Sequence, residues 1–335
     1  MAAQDEAISL RITTLNLRGV SDRWAERQTM LQALTDDLDA DVYAFQEVLT
    51  GEFEQDCQIL GPQYQVHPCK AAMLHLHSLG GAPAAYARML EWAPSTRLLR
   101  SVMVGMPVHI EGCRESMNLK SSCFRLLRDL SMLPFFGNSI ATKLPSLATA
   151  HETLPLGEFR AAHRVCLECS FRRSATEETE KVGVWVVNTH LHHDDDHPEV
   201  RSEQMDRICR WVEESTDNAA GVLIAGDLNS MPSEELHAVM KSFGYRSAYA
   251  AIHGREPEAT WPSGLIAPLM DEGPPGCLDY IYVKGLPGWS VNVQSASLAG
   301  HHPCPGDSTL YPSDHLAVHV GIRVKPVTPS SAPRL

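Results

Sequence analysis

Apolar residues recur along this chain in short bursts, most of them closed by an acid, an amide or a histidine. Seven bursts read as strands: "ISLRITTLN" (8–16), "DVYAFQEV" (41–48), "HRVCLECSF" (163–171), "VGVWVVNTHL" (182–191), "GVLIAGDL" (221–228), "LDYIYV" (278–283) and "HLAVHVGIRV" (315–324). They are rich in β-branched and aromatic residues and are bounded by Gly, Pro, Asn and Asp. Between them, apolar positions at helical spacing mark "DRWAERQTMLQALTDDL" (22–38), "RSEQMDRICRWVEES" (201–215) and "SEELHAVMKSFG" (233–244), the last with Ser233 as N-cap and Gly244 as stop. Interleaved strands and helices predict an α/β or α+β class.

Residues 70–134 break this rhythm. "MLHLHSLGGAPAAYARMLEW" and "SSCFRLLRDLSML" have helical spacing, strand signals are weak, and Gly and Pro recur. The span reads as an insertion of helices and loops, either a substrate-facing wall or a surface excursion. The expected organisation is one domain over 1–325 carrying this insertion, then a Pro/Ser-rich disordered tail over 326–335.

The chain of 335 residues is ample for a sizeable core, and 44% apolar with 21% charged residues is ordinary for a globular protein. No apolar run approaches the ~20 residues of a membrane span, and "MAAQDEAISLRI" lacks the basic-then-apolar pattern of a secretory signal. A net charge of −13 argues against broad duplex-DNA binding, which needs many cationic phosphate contacts. Nine cysteines without a framework suit a reduced, intracellular protein. Cys166 and Cys169 form a C-x-x-C on an alternating segment, so their sulfurs are expected on opposite faces as inert buried thiols. A cytoplasmic monomer is the default; the terminal "PRL" only weakly resembles a peroxisomal signal.

Six strand ends carry polar groups: Asn16; Gln46-Glu47; Asn188-Thr189-His190; Asp227 with Asn229; Asp279; and Asp314-His315. One such end is an ordinary turn, since Asp and Asn bond their local backbone well. Six together suit metal-assisted phosphoester hydrolysis. Hard divalent cations take carboxylate oxygens, waters and substrate phosphate, a carboxylate or imidazole handles the attacking water, and amides or a protonated imidazole bond the phosphoryl oxygens. Glu47 would serve the metal, Asp227 and Asn229 the water and phosphate, and Asp279 would fix an imidazole's tautomer. Rival chemistries lack their motifs: no G-x-S-x-G, no P-loop and no G-x-G-x-x-G after the first strand. "HLHHDDDHPE" (190–199) lacks the H-E-x-x-H spacing of a helical zinc site and reads as a solvated loop after His190.

The ordered series "TTLNLRG", "FQEV", "GNSIATKLP", "NTHL", "GDLNSMPSE", "LDYIYV" and "YPSDHLAV" resembles the endonuclease/exonuclease/phosphatase (DNase I-like) superfamily from about Ile8 to about Val324. The resemblance implies an α+β fold, a four-layer αββα sandwich of two mixed β-sheets flanked by helices, with the site at one edge. It implies Mg²⁺, or Mn²⁺, held by Asn16, Glu47 and Asp314. It implies catalysis by His190, Asp227, Asn229, Asp279 and His315: His190 at the scissile phosphate or leaving group, Asp227 aligning water, Asn229 on phosphate, and His315 on phosphate or as base, oriented by Asp279. Arg160, in "GEFRAAHRV", matches an arginine near the site and joins His190 and Asn229 as substrate-binding. "EATWPSG", "GCLDYIYV" and "LYPSDHLAV" are most similar to the nocturnin and carbon-catabolite-repression deadenylase branch, whereas the 70–134 insertion departs from it. The expected partner is a phosphoester substrate, RNA or another nucleotide-containing molecule before a phosphorylated metabolite or lipid headgroup; a non-catalytic scaffold is the third reading. Trp24, Trp92, Trp261, Arg23, Arg27, Arg97 and Arg100 are candidate walls for a single strand.

Overall fold

A computed structural model describes residues 7–327 apart from 20–21, 51–53, 82–83, 86–134, 157–159, 173–177, 215, 217, 268–269 and 271–272. The first sheet has the order β11-β12-β1-β2-β4-β3. Its strands are β1 (Ile8–Asn16), β2 (Val42–Leu49), β3 (Gln65–Cys69), β4 (Phe136–Thr142), β11 (Trp289–Ala299) and β12 (Ala317–Pro326). The second has the order β5-β6-β7-β8-β10-β9, from β5 (Ser146–Thr153), β6 (Ala161–Arg172), β7 (Thr179–His190), β8 (Ala219–Asp227), β9 (Arg246–Ser247) and β10 (Asp279–Gly285). Both are mixed: β1 runs parallel to β2 and β7 parallel to β8, and the other pairs are antiparallel.

The sheets stack face to face over an apolar core that includes Ile12, Ala44, Ile140, Val165, Val186, Leu223, Ile281 and Val320. Helix α1 (Trp24–Leu38) and the short α2 (Gln55–Ile59) cover the outer face of the first sheet through Leu31, Tyr43, Phe45 and Ile59. Helices α4 (Pro198–Glu213) and α5 (Glu235–Ser242) cover the second through Met205, Ile208, Trp211, Leu236 and Met240. Short α3 (Ala71–Ser78) and α6 (Ala248–His253) are two further helices. This is the expected four-layer α+β sandwich. No described helix is long and apolar enough to cross a membrane.

All seven expected strands form, within three residues of their expected ends. β11 and β5 escaped because they are sheet edges: along "WSVNVQSASLA" only Val291 and Ala296 are buried, and no residue of β5 is, so neither shows a clean apolar face. Cys166 packs behind the second sheet and Cys169 between the sheets, the opposite faces that alternation requires. Ser233 is not the N-cap of α5. Glu234 takes that position, and its carboxylate accepts bonds from Arg201, Ser230 Oγ and the Met231 N–H. β12 continues to Pro326, and the Val327 N–H donates to Gly288 O at 2.8 Å, so ordered chain passes the expected boundary at 325. Of the 70–134 insertion, α3 lies within the described residues and 86–134 outside them, as does the tail from 328.

Candidate active site at the seam of two sheets

Register delivers the acids to one place. In the second sheet His190 of β7 pairs with Asp227 of β8, and Asp227 pairs with Asp279 of β10, so three polar ends stand side by side on adjacent strands. Gly226 makes the approach possible. Its φ of 152° and a would-be Cβ only 1.9 Å from Thr189 O leave room for no side chain. In the first sheet a bulge between Phe45 and Val48 in the β2–β4 ladder puts Glu47 at a φ of 52° and turns it toward the seam. Below the site Asn188 stitches the sheets: its Nδ2 donates to Phe45 O at 2.8 Å and Ser139 O at 2.9 Å, and its Oδ1 accepts from Gln46 Nε2 at 2.7 Å.

Asp227 is the hub. Its Oδ2 accepts from Asn16 Nδ2 at 3.0 Å, across the sheets, and lies 3.5 Å from His190 Nε2 and 3.7 Å from His315 Nε2. Its Oδ1 accepts the Asn229 N–H at 3.0 Å, and Asn229, at a φ of 48°, donates its own amide to Leu191 O. Asn16 also donates to Glu47 Oε1 at 3.2 Å, while its Oδ1 accepts the Arg18 N–H at 2.9 Å. The amide of Asn16 therefore faces the acids with its nitrogen. His315 Nδ1 bonds Asp279 Oδ2 at 2.9 Å, and the Asp279 and Leu278 N–H groups donate to Thr260 Oγ1. Ser313 Oγ lies 2.6 Å from Asn16 O and 3.2 Å from Asp314 Oδ1, both acceptors for its one proton, and Arg18 Nη1 lies 3.4 Å from Asp314 Oδ2. Arg160 Nη1 contacts His190 Nδ1 at 3.1 Å. All nine expected site residues thus fall in one connected network. Thr260, Ser313 and Arg18 join it unannounced, although all three sit inside the quoted motif segments.

Burial and mutual charge set the protonation states. Desolvation and the neighbouring Asp279 push Asp227 up to about 7, against the pull of His315, Asn16 and the Asn229 N–H. Burial opposes a charge on His315, but Asp279, Asp227 and Asp314 outweigh it and hold the imidazole well above its ordinary value. His190 goes the other way: burial, then Arg160, His315 and His193 hold it well below. Arg160 can only donate, so Nδ1 of His190 is the acceptor and its proton sits on Nε2, facing Asp227.

The donor set suits a divalent cation. Oxygen and nitrogen atoms of Asp227, Asp279 and His315 lie within 4.8 Å of one another, a spacing that could hold a metal ion. Asp279 Oδ1 is buried without a hydrogen-bond partner among the described residues, a carboxylate oxygen with capacity left for a cation.

Elsewhere the site differs from expectation. Trp24 is buried, and Arg27 is fully buried, donating to the carbonyls of Leu17, Gly19, Asp22 and Pro312. Arg23 is held by Glu26 and Asp307, and Trp261 is buried beside Gly273. These four are scaffold, not walls; Trp92, Arg97 and Arg100 lie outside the described residues. The 190–199 loop is exposed at His193 and 195–197, as expected of a solvated loop, but His192 is buried.

No curated protein sequence matches the chain. Among solved structures, the human Nocturnin catalytic domain with bound sulfate is similar at a TM-score of 0.59 and 19% identity, covering 96% of this chain and 98% of that one. An endonuclease/exonuclease/phosphatase from Bacteroides vulgatus is similar at 0.58 and 17%, covering 95% and 99%. D. rerio TDP2 complexed with a single strand DNA product is similar at 0.58 and 14%, covering 94% and 98%. At these identities the likeness establishes the fold. The model of the Endonuclease/Exonuclease/phosphatase family matches residues 13–315, and the chain therefore belongs to this family of phosphoester hydrolases.

Proposed function

We propose that the protein is a Mg²⁺-dependent phosphodiesterase that cleaves a nucleotide-containing substrate, RNA foremost, by attack of water on phosphorus. The observation that carries this reading is the hub: one buried carboxylate, Asp227, held between the imidazoles of His190 and His315, whose surroundings push their pKa values in opposite directions. Glu47 and Asp314, with Asn16 as the amide between Glu47 and Asp227, would hold Mg²⁺ or Mn²⁺. Such an ion, when bound, polarises a phosphoryl oxygen and offsets the charge that grows in the transition state.

The protein's own groups do the rest. Asp227, poised near neutrality, aligns the nucleophilic water and takes its proton. Asn229 keeps Asp227 Oδ1 in place and contacts phosphate. His315, protonated and fixed by Asp279, donates to a non-bridging oxygen. With His315 Nδ1 bonded to Asp279 and Nε2 3.7 Å from Asp227, this reading assigns the Asp227–Asp279–His315 trio to proton transfer, and Glu47 and Asp314 to the metal. His190, neutral with its proton on Nε2, donates to the scissile phosphate, and Arg160 holds that tautomer.

The single strand DNA product in the TDP2 structure supports a nucleic-acid substrate. A second reading, a small phosphorylated metabolite or headgroup, is favoured by one observation: Arg23, Arg27, Trp24 and Trp261 are consumed by the scaffold. One experiment tests both. Wild type and Asp227→Ala are compared with Mg²⁺, Mn²⁺ and EDTA on an aryl phosphodiester, an aryl phosphomonoester, oligo(A) and other short RNA, NADP-type nucleotides and sphingomyelin. Metal-dependent turnover that is lost in Asp227→Ala is expected, best on RNA. Turnover that survives Asp227→Ala or EDTA refutes the mechanism, and a preference for monoester or headgroup replaces the substrate.

A further inference from the structure

Helix α3 is the first element of the 70–134 insertion, and its inner face lies against the end of the second sheet that carries the site. Ala71, Leu74 and His75 share one helical stripe, since positions i, i+3 and i+4 stack on the same face. Ala71 and Leu74 pack with Cys69 of β3 and Ala161 of β6. The chain enters α3 tightly: a Cβ on Gly137 of β4 would stand 1.9 Å from Cys69 O and 3.2 Å from Lys70 Cα, so only glycine lets β4 come this close to the start of the helix. One turn on from Ala71, His75 reaches the residue before Ala161. Its Nε2 lies 2.7 Å from the backbone oxygen of Arg160. A carbonyl can only accept, so Nε2 carries the proton and donates, whatever the charge of the ring.

That carbonyl belongs to the arginine whose Nη1 contacts His190 Nδ1 at 3.1 Å. Arg160 stands just outside its strand. β6 begins at Ala161, and its ladder with β7 ends at Ala162 and Thr189, one residue short of His190. On the β5 side, the Leu154 N–H donates to Arg160 O at 2.9 Å. A carbonyl oxygen has two lone pairs, and His75 fills the second, which fixes the plane of the Arg160 peptide. The loop before it is held from the other side. Leu156 sits at a φ of 58°, and the buried Gln204 of α4 donates to Pro155 O and Leu156 O, both at 3.1 Å, while its Oε1 accepts the His192 N–H at 3.0 Å. Thus α4 holds the loop and α3 holds the arginine.

We propose, on the phosphodiesterase reading above, that His75 is a positioning residue: by donating to Arg160 O it aims the guanidinium at His190, and it makes α3 part of the active-site wall rather than a surface excursion. Without that donor the carbonyl keeps the Leu154 bond, about which the peptide can pivot. The guanidinium then leaves Nδ1 of His190, and the imidazole proton divides between its two nitrogens. Half of that population no longer presents Nε2–H to the scissile phosphate. His75 touches neither the acids nor the phosphate, so its loss acts through Arg160 alone.

The variants are made in the full chain. H75F keeps a ring and removes the donor, H75Q returns an N–H to about the same place, and H75A serves if the larger ring disturbs the helix. Each is made alone and in R160Q, and turnover of oligo(A) and of an aryl phosphodiester is measured with Mg²⁺. The kcat/KM of H75F is expected about tenfold below wild type, with most of the loss in kcat, and that of H75Q within about threefold of it. In R160Q, H75F is expected to remove less than about a further twofold, because the two residues act as one unit. Long-range proton–nitrogen spectra of the imidazoles, with His190 assigned by its loss in H190N, read the same contact without substrate. The His190 proton is expected on Nε2 in wild type and H75Q, and divided between the nitrogens in H75F and R160Q. A loss in H75F that adds in full to that of R160Q, or a His190 spectrum in H75F identical to wild type, overturns the role. D227A that turns over like wild type overturns the phosphodiesterase mechanism instead, and the imidazole spectra still decide His75.

Discussion

Arg160 donates from Nη1 to Nδ1 of His190 across 3.1 Å, and this bond fixes both the tautomer and the charge of the imidazole. The positive guanidinium is the second cause, after burial, that holds His190 well below its ordinary value. Replacing Arg160 by Gln removes the charge, so the His190 pKa moves upward and the imidazole protonates at higher pH. The acid limb of the kcat/KM profile is expected to shift to higher pH, with a loss of up to about 100-fold at pH 7 from the misplaced ring. An unmoved acid limb would show that His190 need not be neutral.

Asp279→Asn keeps the shape of the His315 partner and deletes its charge. Asp279 is the largest force raising His315, so the imidazole loses its proton at lower pH and with it the phosphate donor. A fall in kcat of about 100-fold or more is expected, steepest on the alkaline side, with the fold intact by circular dichroism.

Asp227 also governs metal-free stability. Its folded value of about 7 lies above the unfolded carboxylate value of about 3.9. A group raised on folding stabilises fully below its unfolded pKa, and that contribution is lost as pH rises through the folded one. His315, also raised, adds a loss of the same sign at higher pH. In chelator, wild type is therefore expected to lose Tm between about pH 4 and pH 7. Asp227→Asn should lose less and melt higher than wild type at pH 8. Differential scanning fluorimetry across pH reads this directly.

Gly226→Ala places a Cβ 1.9 Å from Thr189 O at a φ of 152°. Backbone must shift to admit it, at a cost of about 2–4 kcal/mol in unfolding free energy. Because His190 and Asp227 flank that contact in register, activity is expected to fall further than stability explains. A denaturant melt beside a kcat measurement separates the two.

The strand ends were legible because each is an apolar run that stops at a polar residue, and buried strands announce themselves that way. Register then did what sequence order could not show, aligning His190, Asp227 and Asp279 on neighbouring strands. The edge strands β5 and β11 stayed hidden: no residue of β5 is buried, and a bulge between Val293 and Ser295 shifts the apolar alternation of β11 from Trp289, Val291 and Val293 to Ala296 and Leu298. Trp24, Arg23 and Arg27 misled for a related reason. An arginine's charge is visible in the sequence, but whether it meets a phosphate or the carbonyls of Leu17 and Pro312 depends on the helix that carries it.

Asn16 belongs to one sheet and Asp227 to the other, and a single 3.0 Å hydrogen bond joins them. The active site is thus assembled from two halves that neither sheet possesses alone, like a lock whose pins sit on separate plates. A sideways slip of about an ångström between the plates would break that bond while leaving every strand ladder whole. Under gradual denaturation, turnover should fade while the secondary structure still reads as native.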